Sequence, residues 1–411
     1  MKRKLFSCIL VATLLACWVV YAQGEGVESY ISDQSNLSRI DLSGRDLSGA
    51  HLNQSNLNGA NLRDTNLTGA HLKSAWLVGA DLNRATLQDA ILIGSDLSEA
   101  DMTRADLRGA QLTKSMLHKT VLVDAKLTDA DFSRACLPYA DLSGADLTDA
   151  KLFRADLTGA KMKGAYLKGA YFVGSHLNWV DLTDSYLSGG QFSRAEFYKT
   201  DLSGADLSDS DLSRAYMMSS NLTGADLKRA KLHYTDLSGA NLAKASLREA
   251  ELPYASLVDA NLSGTDMTST LIIAVSFDGA DLTDIKLDRC KLKNVALPNA
   301  TLEGVSLKNA DLYHVDLEKS NLAGADLSGS TMESVMFIGA DLRGADFSGS
   351  KLDTVIFMDA DLRGANLERI ECTYCTLRSI SGANLEGTTI SEDLKRDLEA
   401  LKMPDLNGER T

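Results

Sequence analysis

Four prolines, six cysteines and an aromatic share of 6% in 411 residues deny several architectures their raw material. Cys8 and Cys17 lie near the start, which leaves Cys136, Cys290, Cys372 and Cys375. Four scattered cysteines do not make a disulfide framework for a chain of this length. Gly-x-Ser-x-Gly, a phosphate loop and a zinc-protease helix are all missing, so no familiar catalytic frame is in place. Charge of one sign is in short supply too. Lys and Arg number 42 against 56 Asp and Glu, a formal net charge of -14. An acidic surface repels nucleic acid as a whole and suits solubility or a basic partner.

Long apolar runs are lacking except at the N-terminus. Met1-Lys2-Arg3-Lys4 is a positive start, Leu5 to Val20 is apolar apart from Ser7 and Thr13, and Val20-Tyr21-Ala22 has the form of a cleavage site. Residues 1–22 are read as a signal peptide, so the protein is expected to be exported to the periplasm, cell envelope or exterior. Two other readings stay open. Leu14-Leu15-Ala16-Cys17 resembles a lipoprotein box, and an uncleaved segment would approach the length of a membrane span. Either would attach the chain to a membrane through this segment alone.

What the sequence does contain is a rhythm. From Leu37, steps of five reach Leu42, Leu47, Leu52 and onward to Leu377 without a slip, 69 units in one frame. Each central position holds Leu, Phe, Met or Ile, with Cys372 the exception. Two residues earlier stands a small or β-branched residue, most often Ala; Arg45, in the first coil, departs from this. Asp or Asn usually precedes the centre, and Ser or Thr and then Gly often follow it. A period of five matches neither a helix nor a flat strand. It requires a backbone that turns a corner every five residues, with Gly, Asp, Asn and Ser at the corners. Val275, Val295, Val315, Val335, Val355 and Cys375 recur every twenty residues, and Phe277, Phe337 and Phe357 share a neighbouring row. Four sides per coil follow.

The Ala-Asp/Asn-Leu-x-x pattern resembles the pentapeptide-repeat family over about residues 35 to 390. The resemblance implies an all-β fold, a right-handed quadrilateral parallel β-helix. At ordinary strand spacing, about 17 coils would make a rod on the order of 80 Å long. The expected organisation is a signal peptide over 1–22, an N-terminal cap over 23–34, the solenoid over 35–390, a capping helix over 391–403 and a tail over 404–411. Ser391 is the expected N-cap of that helix, and its stripe Leu394, Leu398 and Leu401 should cover the last coil or, as in some family members, form a homodimer contact.

A narrow, filled interior supplies no cavity for convergent catalytic groups, so a non-enzymatic protein without cofactor or metal is expected. Cys372-Thr-Tyr-Cys375 is read as core filling, with a disulfide as the alternative. His51 and His71 should stack as neighbours without a third metal ligand. The row Asp41, Asn61, Asp81, Asp101, Asp141, Asp181, Asp201, Asp281, Asp341 and Asp361 suits turn amides, which the short Asx side chain can bond. In some pentapeptide-repeat proteins such a row imitates DNA and occupies gyrase. A DNA-mimicking inhibitor of a type II topoisomerase is thus the alternative role. Exposed aromatics interspersed with cations mark recognition patches. Tyr139, Tyr166, Tyr171, Trp179, Tyr186, Tyr198 and Tyr216 crowd the middle, near Lys151, Arg154, Lys161, Lys163 and Lys168. From this group Tyr166, Tyr171, Tyr186, Trp179, Lys163 and Lys168 are the candidate contacts for a protein, or an anionic polymer. The leading expectation is an exported scaffold whose faces bind such a partner.

Overall fold

Backbone N–H pairing within a unit such as Asp81 to Ala85 explains the repeat. In the unit from Asp81 to Ala85, Asp81 N donates to Ala60 O of the preceding coil at 2.9 Å, and Leu82 N donates to Asp101 O of the following coil at 2.7 Å. Arg84 N reaches Thr103 O at 3.0 Å, and Ala85 N closes a tight turn on Leu82 O at 2.9 Å. Only the Asn83 N–H has no backbone acceptor, and the Asp81 carboxylate takes it at 3.1 Å. That is why Asp or Asn precedes the centre: unpaired backbone groups are costly, and this side chain removes the last one. Where another residue stands there, an Asn of the preceding coil can take its place. Trp76 cannot accept, and Val78 N donates instead to Asn58 Oδ1 at 2.9 Å.

The computed structural model describes residues 31–373 and 382–390. It divides into two compact units, one up to Lys151 and one from Leu152. Each is a parallel β-solenoid whose bridges step by twenty residues. In the first unit they run from Asn36↔Asn56 to Asp131↔Lys151, and in the second from Asp156↔His176 to Asp346↔Asn366. The ladder lengthens into strands in the second unit: β1 (Leu271–Ile273), β2 (Lys291–Ala296), β3 (Asp311–Asp316), β4 (Thr331–Glu333), β5 (Lys351–Asp353), β6 (Asn366–Leu367), β7 (Glu371–Thr373) and β8 (Thr389–Ile390). One sheet runs β1-β2-β3-β4-β5-β7, all parallel, and β6 pairs with β8.

Corners repeat as strictly as the ladder. Between Arg39 and Arg369 every positive φ belongs to the second residue after a centre. A turn closed from the third residue to the centre with φ above zero there is the type II geometry, which favours Gly. Gly44, Gly49 and Gly59 obey, yet Tyr139, Trp179, Tyr234 and Tyr254 occupy the same left-handed corner.

The interior is as the periodicity predicts. Central leucines such as Leu52, Leu57 and Leu62 are fully buried beside Ala60 and Ala70. Each buried Leu contributes roughly 1.5–3 kcal/mol, realised only when a neighbouring coil covers it. Where Ser or Thr replaces Ala inside, its hydroxyl finds a carbonyl: Thr65 donates to Leu42 O at 3.0 Å, and Ser95 to Leu92 O at 2.7 Å. Among the described residues no buried side-chain nitrogen or oxygen lacks a hydrogen bond. Val275, Val295, Val315, Val335 and Val355 are buried, and Val295 pairs with Val315. Phe337 and Phe357 stack at 5.3 Å with an interplanar angle of 4°. In the first coil Arg45 is exposed, as an uncovered inner position allows.

The register skips once. Asp361 bridges Asn384 across 23 residues, three more than elsewhere, as the break after Leu377 requires. Cys372 corrects the sequence reading. It pairs with Leu352 in the ladder but is exposed and disulfide-bonded, so it does not fill the core. The last coils have less solenoid beyond them to cover an inward position, and Glu371 beside it is exposed as well. Residues 1–30, Cys375 and the segment 391–411, with Leu394, Leu398 and Leu401, lie outside the described residues.

Candidate functional site

The aromatic group of the second unit is built by the twenty-residue step. Tyr166 and Tyr186 bridge each other, and their rings stack at 5.0 Å with planes 6° apart. Both side chains leave the side of the solenoid immediately before a buried leucine, so the alternation that drives Leu167 and Leu187 inward drives the tyrosines outward. Half of each remains exposed, 50% for Tyr166 and 48% for Tyr186. Tyr171 occupies the same position on the following side, is as exposed, and bridges Gln191. Trp179 sits at a left-handed corner and meets Tyr198 edge-on at 5.6 Å, while Lys199 Nζ lies 5.2 Å from the Tyr198 ring centroid. Lys163 approaches Asp184 at 4.0 Å, and Lys168 is exposed. The structure thus brings Tyr166 and Tyr186 into contact, puts Tyr171 one side away and gives Trp179 a separate corner partner. Tyr139 belongs to the first unit, edge-on to His118 at 6.1 Å.

Sequence reading missed a second aromatic group. Tyr234 and Tyr254 stack at 4.9 Å and 11°, and the Arg214 guanidinium caps the free face of Tyr234 at 5.4 Å. Arg214, Tyr216 and Tyr234 line an open depression of about 330 Å³. The signal was available: 214, 234 and 254 share one corner at steps of twenty.

The other candidates are structural. His51 and His71 meet at 4.7 Å with their planes tilted by 48°, and no metal-holding group of His, Cys, Asp or Glu occurs among the described residues. The acidic row serves the turns. Asp41 accepts from Ser43 N and Oγ at 3.0 and 2.7 Å, and Asn61 Nδ2 donates to Asp41 Oδ1 at 2.9 Å. The Ser43 hydroxyl and then its amide hold the Asp41 carboxyl below its usual range. Arginines blunt the row further. Arg363 and Arg343 grip Asp361 and Asp341, each at 2.6 Å. Cys290 is buried, its thiol pushed up to about 12 mainly by desolvation, so it is inert rather than nucleophilic.

A family model agrees with this architecture. The family described as pentapeptide repeats (8 copies) matches overlapping stretches that together cover residues 35–268 and 276–349. Among solved structures the chain is similar to HetL, a pentapeptide repeat protein involved in heterocyst differentiation regulation from the cyanobacterium Nostoc sp. strain PCC 7120. The two are 32% identical over 61% of this chain and 95% of that one, with a TM-score of 0.24. It is also similar to a pentapeptide repeat protein of the Arabidopsis thaliana thylakoid lumen, 28% identical over 31% of this chain and 65% of that one, TM-score 0.12. Full-length QnrB1, a plasmid-mediated fluoroquinolone resistance protein, is 20% identical over 56% and 97% of the two chains, TM-score 0.18. No curated protein matches by sequence.

Proposed function

Given that the chain belongs to the pentapeptide-repeat family, we propose that it is a non-enzymatic, exported scaffold that binds a protein partner through the tyrosine face of its second unit. The stacked pair Tyr166 and Tyr186 carries this reading. Two large rings held half exposed, with no packing role in the interior, are the composition of a protein-binding surface. Stacking fixes the side chains before a partner arrives, which lowers the ordering cost of association. Tyr171 and Lys168 extend the face.

Export is proposed from the positively charged start at Lys2, Arg3 and Lys4 and the apolar stretch behind it. N-terminal sequencing of the mature protein after cell fractionation tests it; an unprocessed cytoplasmic chain overturns it. For the binding face, Tyr166→Ala, Tyr171→Ala and Tyr186→Ala together should abolish co-purification of the partner from the native host with the circular-dichroism spectrum unchanged. Retained co-purification by the triple variant refutes the face.

A further inference from the structure

Beyond the tyrosine face, one edge of the second unit carries chemistry of its own. Its corner positions, twenty residues apart, are Arg154, Gly174, Arg194, Arg214, Tyr234 and Tyr254. All six adopt positive φ, which suits Gly174, whereas the bulky arginines and tyrosines are held there with conformational strain. They bury little in return: Arg154, Arg194, Arg214, Tyr234 and Tyr254 are all exposed.

Several corner arginines elsewhere are neutralised. Arg84 pairs with Asp64 at 2.7 Å and Arg229 with Asp209 at 2.6 Å, each twenty residues below. Among the described residues no ion pair involves Arg154, Arg194 or Arg214, an uncompensated basic line on an acidic chain. At its end the Arg214 guanidinium rests on Tyr234, which rests on Tyr254. The next corner is Ala274, too short to cover the outer face of Tyr254. Arg214, Tyr216 and Tyr234 line the depression with guanidinium and phenol groups, and the open face of Tyr254 lies one coil beyond Tyr234.

We propose that this edge binds a linear acidic polysaccharide, its carboxylates on Arg194 and Arg214 and a sugar ring against Tyr254. Spacing favours a sugar chain over an acidic peptide. Corners recur at the strand spacing of about 4.8 Å, comparable with the length of one pyranose unit, whereas same-face side chains of an extended peptide recur every ~6.6 Å. Guanidinium also takes carboxylate in a two-pronged grip.

The test uses the full chain and polygalacturonate oligosaccharides, with dextran and polyglutamate as comparisons, at about 0.15 M salt, where distant acidic groups are screened. Arg194→Gly with Arg214→Gly is the informative variant, because glycine suits the left-handed corner and lost binding cannot be ascribed to unfolding. Polygalacturonate should bind, dextran should not, and the double variant should weaken binding about tenfold. Tyr254→Gly should weaken it too, and the tyrosine-face triple variant should leave it unchanged, which separates this site from the proposed protein contact. Absence of polygalacturonate binding, equal binding of dextran or polyglutamate, or an unaffected double variant overturns the proposal.

Discussion

The Phe192 ring occupies the space that a Cβ on Gly190 would need, with the Leu187 carbonyl 3.0 Å away on the other side. Gly190 stands at the small inner position that is usually Ala, and Phe192 at the centre that is usually Leu. A larger ring and a missing methyl compensate. Phe172 stacks on Phe192 at 5.1 Å and Phe197 tilts against it at 5.7 Å, so the ring has little freedom to retreat. Gly190→Ala should therefore destabilise the second unit by about 1–3 kcal/mol. Adding Phe192→Leu should recover part of the loss, and urea denaturation of the two variants checks both signs.

Corner glycines separate conformational strain from steric clash. Gly304 has φ +66 and nothing within 4 Å of a built Cβ, whereas at Gly279, φ +69, the Asp259 carboxylate fills that space. Gly304→Ala should lose about 1 kcal/mol and Gly304→Asn less, because Asn tolerates this backbone region. Gly279→Ala should lose more than either. Thermal midpoints measured side by side give the order.

Acid should weaken the fold through the turn-capping aspartates. The Asp281 carboxyl is held below its usual range, first by the Thr283 hydroxyl and then by the Thr283 amide. Asp41 and Asp46 are lowered in the same manner by Ser43 and Ser48. A carboxyl depressed in the folded state stabilises it above the unfolded pKa of about 3.9, and that contribution is lost as pH falls through the folded value. Stability should be level from about pH 7 to pH 5 and decline below about pH 4. Asp281→Asn should keep the turn, since Asn221 accepts from Thr223 N at 3.2 Å in the equivalent place, and should reduce the slope. Urea midpoints across this range are the measurement.

Three thiol positions should differ in chemistry. Cys290, buried and donating to Met267 O at 2.8 Å, should resist iodoacetamide until the chain is unfolded. Cys372 should become reactive only after reduction, being disulfide-bonded in the folded protein. Exposed Cys136 should be more accessible to the reagent than Cys290 under native conditions. Peptide mapping by mass spectrometry reads all three.

The solenoid itself was legible because period, size and polarity agree at every step. Leu at the centre, Ala two before it and Asp between them each answer a separate demand: burial, a narrow interior and an unpaired amide. The valine row from Val275 to Val355 encodes the twenty-residue coil in sequence alone. Stacking of Tyr166 on Tyr186 followed from the same arithmetic. What escaped was governed by things that periodicity does not encode. Cys372 keeps the frame yet is exposed, because an inner position is buried only when enough coils continue beyond it. The Arg214–Tyr234–Tyr254 stack was hidden because its members are far apart in sequence and both tyrosines lie beyond the densest aromatic stretch, which ends at Tyr216.

Bridges that recur every twenty residues impose a rule on how such a chain can change length. Removing five residues from the second unit would leave each leucine inside but move every downstream side chain to a different side, splitting any row that spans the cut, as the Val295–Val315 row or the Tyr234–Tyr254 pair would be by a cut between its members. Removing twenty would shorten the protein and restore every alignment. Whole circuits are thus the neutral currency of growth and loss, while a single missing unit redraws the exposed pattern without disturbing the fold beneath it.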